Sequence, residues 1–165
     1  MKQVILVLVG FLSTSISAQY WQQEVDYTMS VRLDTETAIY KGTQKLIYTN
    51  NSPETLKKIF YHLYFNAFQP ESDMAIRLKN GGDKNRRFEI SLDTLSADQS
   101  GYLKVSNLKQ DGKPVQTKES GTILEVTLNE ALTSGQSTVL ELEFEGHVPD
   151  VIRRAGKNSK EGVAF

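Results

Sequence analysis

Glu24-Val25-Asp26-Tyr27-Thr28-Met29-Ser30-Val31-Arg32-Leu33-Asp34 alternates polar and apolar residues without a fault. In an extended chain Val25, Tyr27, Met29, Val31 and Leu33 share one face, and Glu24, Asp26, Thr28, Ser30, Arg32 and Asp34 share the other. A helix would scatter both sets around its circumference. The stretch predicts a long strand with one buried and one wet face. Asp34-Thr35-Glu36-Thr37 then turns the chain into a second β-rich run, 38–49, so the two predict a long antiparallel hairpin. Gly42 inside that run predicts a bulge or the close approach of another backbone.

Upstream of the hairpin, Met1-Lys2 gives a positive end and Val4 to Leu12 an apolar run interrupted by Gly10. Ser13, Thr14, Ser15 and Ser17 lead to Ala18. This is the layout of a secretory signal peptide over 1–18, with cleavage placed to within a residue. The apolar run is shorter than the roughly 20 residues a membrane-spanning helix needs, so no integral membrane segment is expected. The expected location is exported, either periplasmic or secreted, and bacterial.

Downstream, Lys58-Ile59-Phe60-Tyr61-His62-Leu63-Tyr64-Phe65 is apolar or aromatic on both faces, which predicts an interior strand covered on two sides. A helical turn is expected within 71–78, a polar loop over 80–87, and a short helix or strand over 88–95. Asp111-Gly112 is the strongest hairpin signal, with a return strand over 115–118. Leu124, Val126 and Leu128 point inward from 122–128. Leu140, Leu142 and Phe144 do so from 138–146, with Glu141, Glu143 and Glu145 outward. The fold expected is all-β, an antiparallel β-sandwich or saddle-like sheet domain of about 7–10 strands over 19–165. The tail from Val148 to Phe165 is expected to pack loosely.

Without Lys2 the chain holds 18 basic and 20 acidic residues, a net charge of −2 that offers nothing to a nucleic acid. With no cysteine, an exported domain is held by packing alone. His62 and His147 stand apart and lack the spacing that sets two zinc ligands one helical turn apart. His62 reads as a packed residue of an aromatic strand. The cluster Phe60, Tyr61, Tyr64, Phe65 and Phe68 reads as core rather than a ligand groove. Glu141, Glu143 and Glu145 read as a solvated strand face, and Arg153, Arg154, Lys157 and Lys160 as a solvated basic loop. Asn50-Asn51-Ser52 matches a glycosylation acceptor. Serine-nucleophile and phosphate-loop motifs are absent from the sequence. No catalytic, cofactor-binding or metal-binding residue is therefore assigned to this chain.

Several segments together resemble the N-terminal β-domain of M1-family zinc aminopeptidases, especially the secreted bacterial branch. They are Asp26-Tyr27; Tyr40-Lys41-Gly42 followed by Leu46-Ile47-Tyr48-Thr49-Asn50-Asn51-Ser52; and Tyr61-His62-Leu63-Tyr64-Phe65-Asn66-Ala67-Phe68. Gly121-Thr122-Ile123-Leu124-Glu125-Val126 and Phe144-Glu145-Gly146-His147-Val148-Pro149 continue the pattern. The resemblance spans nearly all of 24–165. It implies a non-catalytic structural domain that supports the active-site cleft of a parent enzyme removing N-terminal residues from peptides. It also implies that the zinc motif, the substrate-binding glycine-rich motif and the proton-donor tyrosine lie in a downstream catalytic domain of the same polypeptide. No cofactor is expected in this chain, with zinc and peptide substrate belonging to that later domain. The apolar end Gly162-Val163-Ala164-Phe165 fits a β-domain incomplete at its C-terminal end. Two rivals are a stand-alone secreted β-sandwich binding carbohydrate or protein, marked by exposed coplanar aromatics, and a lipid-binding barrel, marked by a closed central cavity.

Overall fold

The alternating stretch forms strand β1, Glu24–Asp34, paired antiparallel over its full length with β2, Ile39–Thr49. Asp34 closes the connection: its Oδ1 accepts from the backbone N–H of Glu36 (2.9 Å) and Thr37 (3.2 Å). A computed structural model describes residues 20–81, 91–150, 156–158 and 162–164. The expected signal peptide, all but the first two residues of the polar loop expected over 80–87, and Arg153, Arg154 and Lys160 lie outside the described residues.

Two sheets carry the domain. The larger has the order β1-β2-β8-β4-β5, where β8 is Ser137–His147, β4 is Tyr102–Gln110 and β5 is Lys113–Pro114. The smaller has the order β3-β7-β6, from Leu56–His62, Ile123–Leu132 and Gln116–Ser120. A short pair, β9 (Gly156–Asn158) and β10 (Gly162–Ala164), follows. Among the described residues every pairing between these strands is antiparallel and neither sheet closes into a barrel, so the expected all-β sandwich stands and the closed lipid barrel does not. The helical turn expected within 71–78 is a longer helix, α1, Asp73–Gly81, and Leu92–Thr94 forms a 3-10 turn.

Between the sheets, Leu46, Leu140 and Leu142 meet Ile59, Leu124, Val126 and Leu128. Leu124, Val126, Leu128, Leu140 and Leu142 thus point inward as their alternation requires. Gly42 makes no bulge, since the β2 register runs unbroken on both sides. It serves a close approach: a Cβ there would lie 2.2 Å from the Ser30 carbonyl oxygen and 2.6 Å from the Phe144 ring.

Buried amides fix how the parts join. Asn50 Nδ2 donates to the carbonyls of Glu54 (2.7 Å) and Leu132 (2.9 Å), and its Oδ1 accepts from the Ser52 amide (3.0 Å) and hydroxyl (2.7 Å). This corrects the reading of Asn50 as a glycosylation acceptor, because its nitrogen is committed and the residue is fully buried. Gln110 ties the sheets together: Nε2 donates to Glu130 O (3.0 Å), and Oε1 accepts from Asn129 N (2.6 Å). Asn66 accepts from Leu103 N (2.7 Å) and donates to Glu119 Oε1 (3.0 Å), pinning the 3-10 turn Tyr64–Phe68 against β4 and β6.

Expectations fail at four places, and for β1 and β3 the reason is that burial depends on what a strand meets, not on its own pattern. All eleven residues of β1 are exposed, Val31 at 57% and Tyr27 at 54%, because an open hollow lies between its inner face and β3. The strand expected to be interior, β3, is an edge strand that ends at His62 and leaves Phe60 58% exposed. The return strand after Asp111-Gly112 stays with β4 for two residues only, and the chain then crosses to the other sheet as β6. The tail begins packed, with Val148 and Pro149 fully buried and Val148 N donating to Ala38 O at 3.0 Å.

Candidate functional site

The sheets splay apart where β1 and β3, one edge strand from each, face each other. β1 presents Met29, Val31 and Leu33 to this opening, and Tyr61, Leu63 and Phe65 form the opposite wall. β2 and β8 lay Tyr40, Gln44, Leu142 and Phe144 along the floor. The result is an apolar groove of about 510 Å³, open along one side. A second hollow of about 360 Å³ continues it past Tyr61 towards Val25 and Tyr27.

Tyr40, Gln44, Tyr61 and His62 bring polar atoms to the otherwise apolar lining. Gln44 Nε2 and the Tyr61 hydroxyl are buried and lack a hydrogen-bond partner among the described residues. Burial, then the nearby Tyr27, pushes the Tyr61 hydroxyl well above the ordinary tyrosine range. Burial, then Tyr102, pushes Tyr40 up to about 12. Both phenols are therefore neutral donors across the physiological range. Such a groove can seat apolar side chains and offer a hydrogen bond to a polar group among them.

His62 is not the packed histidine expected. It is exposed at the lip and stacks on Tyr64, with ring centroids 5.2 Å apart and planes 8° from parallel. His147 is the buried one: its Nδ1 lies 2.7 Å from Ser100 O, and its ring stacks on Tyr102 at 5.8 Å. The aromatic cluster divides. Tyr61 and Phe65 line the groove and Phe68 packs against α1 and its neighbours, but Phe60 and Tyr64 stand in solvent. The acidic row faces outward as expected, with Glu145 paired to Lys41 (2.7 Å) and accepting from the Tyr102 hydroxyl (2.9 Å). These two bonds hold the Glu145 carboxyl below the usual range. Lys157 is tied by its ammonium to the Glu36 carbonyl. Among the described residues, no three His, Cys, Asp or Glu side chains converge as a metal site, and no helix is long and apolar enough to cross a membrane.

The groove itself was not legible in the sequence. Its walls come from five separate segments, and Gln44 reads locally as a polar residue in an alternating strand. The one available signal was the exact apolar alternation of β1, which gives the groove its outer lip.

The fold is that of part of the M1 zinc metallopeptidases. The chain matches the M1 zinc metallopeptidase of Deinococcus radiodurans at a TM-score of 0.51 and 17% identity, covering 82% of this chain and 24% of that one. It matches a mutant of the Deinococcus enzyme bound to a Tyr-Ser-Ala substrate at 0.50 and 17%, covering 81% and 23%. A two-domain M1 zinc metallopeptidase mutant bound to L-tryptophan matches at 0.51 and 18%, covering 83% and 24%. This chain thus spans about a quarter of the length of those structures. No protein-family model and no curated protein matches it.

Proposed function

We propose that this chain is the N-terminal, non-catalytic β-domain of an M1-like zinc metalloaminopeptidase. It supports the active-site cleft of a longer, exported enzyme that removes N-terminal residues from peptides. The observation that carries this reading is the fold shared across 81–83% of this chain but only 23–24% of the M1 structures. Zinc, bound outside this chain, supplies the Lewis acidity and activated water of peptide hydrolysis. This chain's own contribution is a stiff wall. The buried amides of Asn50, Asn66 and Gln110 fix its strands and turns, so the rest of the enzyme packs against a surface that does not yield.

The test is an aminopeptidase assay on this chain and on the complete product of its gene. The complete product should cleave aminoacyl-nitroanilides and lose that activity to a chelator. The chain alone should not cleave them with zinc added. Zinc-dependent turnover by the chain alone would contradict the non-catalytic role.

A second reading, a stand-alone exported β-sandwich binding carbohydrate or protein, draws on the open groove and the exposed Tyr27, Phe60 and Tyr64. A complete gene product no longer than this chain, binding a glycan array through those aromatics, would favour it.

A further inference from the structure

We propose that two copies of this chain pair through β1, edge to edge and antiparallel, to form one continuous ten-stranded sheet. This goes beyond the parent-enzyme reading and stands independently of it.

Natural sheets protect their edges with short strands, lysine, proline, bulges or inward charges. Three edges here follow that rule. β5 is two residues long and consists of Lys113 and Pro114. β6 is polar throughout and carries Lys118. β3 carries Lys57 and Lys58 and has a register irregularity between Leu56 and Lys58. β1 carries charges only on its outward face, Glu24, Asp26, Arg32 and Asp34, and lacks the other devices. It is eleven residues long, its register against β2 is unbroken, it has no proline or lysine, and its inward face is Val25, Tyr27, Met29, Val31 and Leu33. An edge this long and regular, with one apolar face, is suited to pairing with another strand.

The outward face of β1 selects both the occupant and the register. Directly opposed residues of an antiparallel pair share a face, so a twofold axis through a β1 residue places apolar against apolar and polar against polar. With the axis at Thr28, Glu24 of each copy faces Arg32 of the other. Asp26 then faces Ser30, Val25 faces Val31, and Tyr27 faces Met29. Both arginines meet a carboxylate, and no like charges stand opposed. An axis at Met29 would pair Asp26 with Arg32 but oppose Glu24 to Asp34, one at Ser30 would oppose Asp26 to Asp34, and one at Tyr27 would bring no opposite charges together. The axis stands perpendicular to the sheet, so both small sheets lie on the same side and the two open grooves face each other. The far edge is β5, which is blunted, so pairing through β1 closes a dimer rather than starting a fibre.

The chain contains no cysteine, so one introduced thiol is unique. In this register the two residue-28 Cα atoms lie about 4.5–5.5 Å apart, within the roughly 4.4–6.8 Å that a disulfide spans. Thr28→Cys should therefore cross-link under mild oxidation, and Ser30→Cys, which faces Asp26, should do so at least about tenfold more slowly. By sedimentation the wild-type chain should be a dimer. Glu24→Arg or Arg32→Glu alone should weaken it about tenfold, and the double exchange should restore it to within about threefold. All four positions are exposed, so far-UV circular dichroism should show the same fold in every variant. A wild-type monomer, open-ended oligomers, single variants that dimerise unchanged, a double exchange that fails to restore, or equal cross-linking at 28 and 30 would each overturn the proposal.

Discussion

Tyr40 lies against the backbone of Gly146, the residue directly opposite it on the neighbouring strand. A Cβ on Gly146 would stand 2.1 Å from the Tyr40 ring. Two residues along, the relation is reversed, with Phe144 over Gly42. The two rings come within 6.1 Å of each other, tilted by 56°. Each glycine makes the room that the opposing aromatic fills, and together they floor the groove.

Gly146→Ala should therefore destabilise the domain by about 2 kcal/mol, since the extra methyl forces Tyr40 off its seat. Gly42→Ala should cost more, because its nearest obstacle is the Ser30 backbone rather than a movable side chain. Urea unfolding checks both. If the two variants match wild type, the aromatic-over-glycine packing is wrong.

Asn50→Leu should be among the most damaging substitutions. It removes the Asn50 donor from the buried Leu132 carbonyl and the acceptor from the Ser52 amide and hydroxyl, while the Glu54 carbonyl keeps only the Ser52 hydroxyl at 3.2 Å. Each buried group left unpaired costs about 1–3 kcal/mol, so a loss of at least about 3 kcal/mol is expected. Asn51→Leu, one residue on and exposed, should cost far less. Denaturant midpoints of the pair separate the buried network from a general effect of the turn.

Tyr61→Phe should be neutral or stabilising, within about 0.5 kcal/mol of wild type or better. The hydroxyl it removes is buried and has no partner among the described residues. A loss above about 1 kcal/mol would show that the hydroxyl makes a bond worth keeping.

Asp34 sets a pH dependence at the hairpin turn. The Thr37 and Glu36 amides hold its carboxyl below the ordinary value of 3.8. A depressed folded-state pKa stabilises the protein above the unfolded pKa, and that stabilisation fades as pH falls through the folded one. Asp34→Ala should thus melt below wild type at pH 7, with the gap closing towards pH 2. A gap that persists unchanged in acid would rule out the carboxylate as its source.

Local pattern was a sound guide to strands and a poor guide to burial. Glu24–Asp34 forms the strand its alternation demands, and Leu124, Val126, Leu140 and Leu142 point inward as read. The same alternation misjudged Val31, because an open groove lies between β1 and the facing sheet, and no residue of β1 records how far off another sheet stands. Phe60 and Tyr64 misled in the same way. An aromatic run resembles a core strand whether or not a layer covers it. Lys113-Pro114 was unreadable as an edge because strand pairing ends there through tertiary crossing, with Val115 leading into the second sheet. The groove lay beyond local reading altogether, since Gln44 and Tyr61 come together only once β2 and β3 belong to facing sheets.

The central claim is that this β-domain belongs to a longer M1-like zinc metallopeptidase. The most direct measurement is the sequence of the reading frame beyond the codon for Phe165 in its source DNA. The account predicts an in-frame continuation carrying His-Glu-x-x-His, whose two histidines lie one helical turn apart as zinc ligands. A stop codon immediately after Phe165, or a long continuation without that motif, would contradict it.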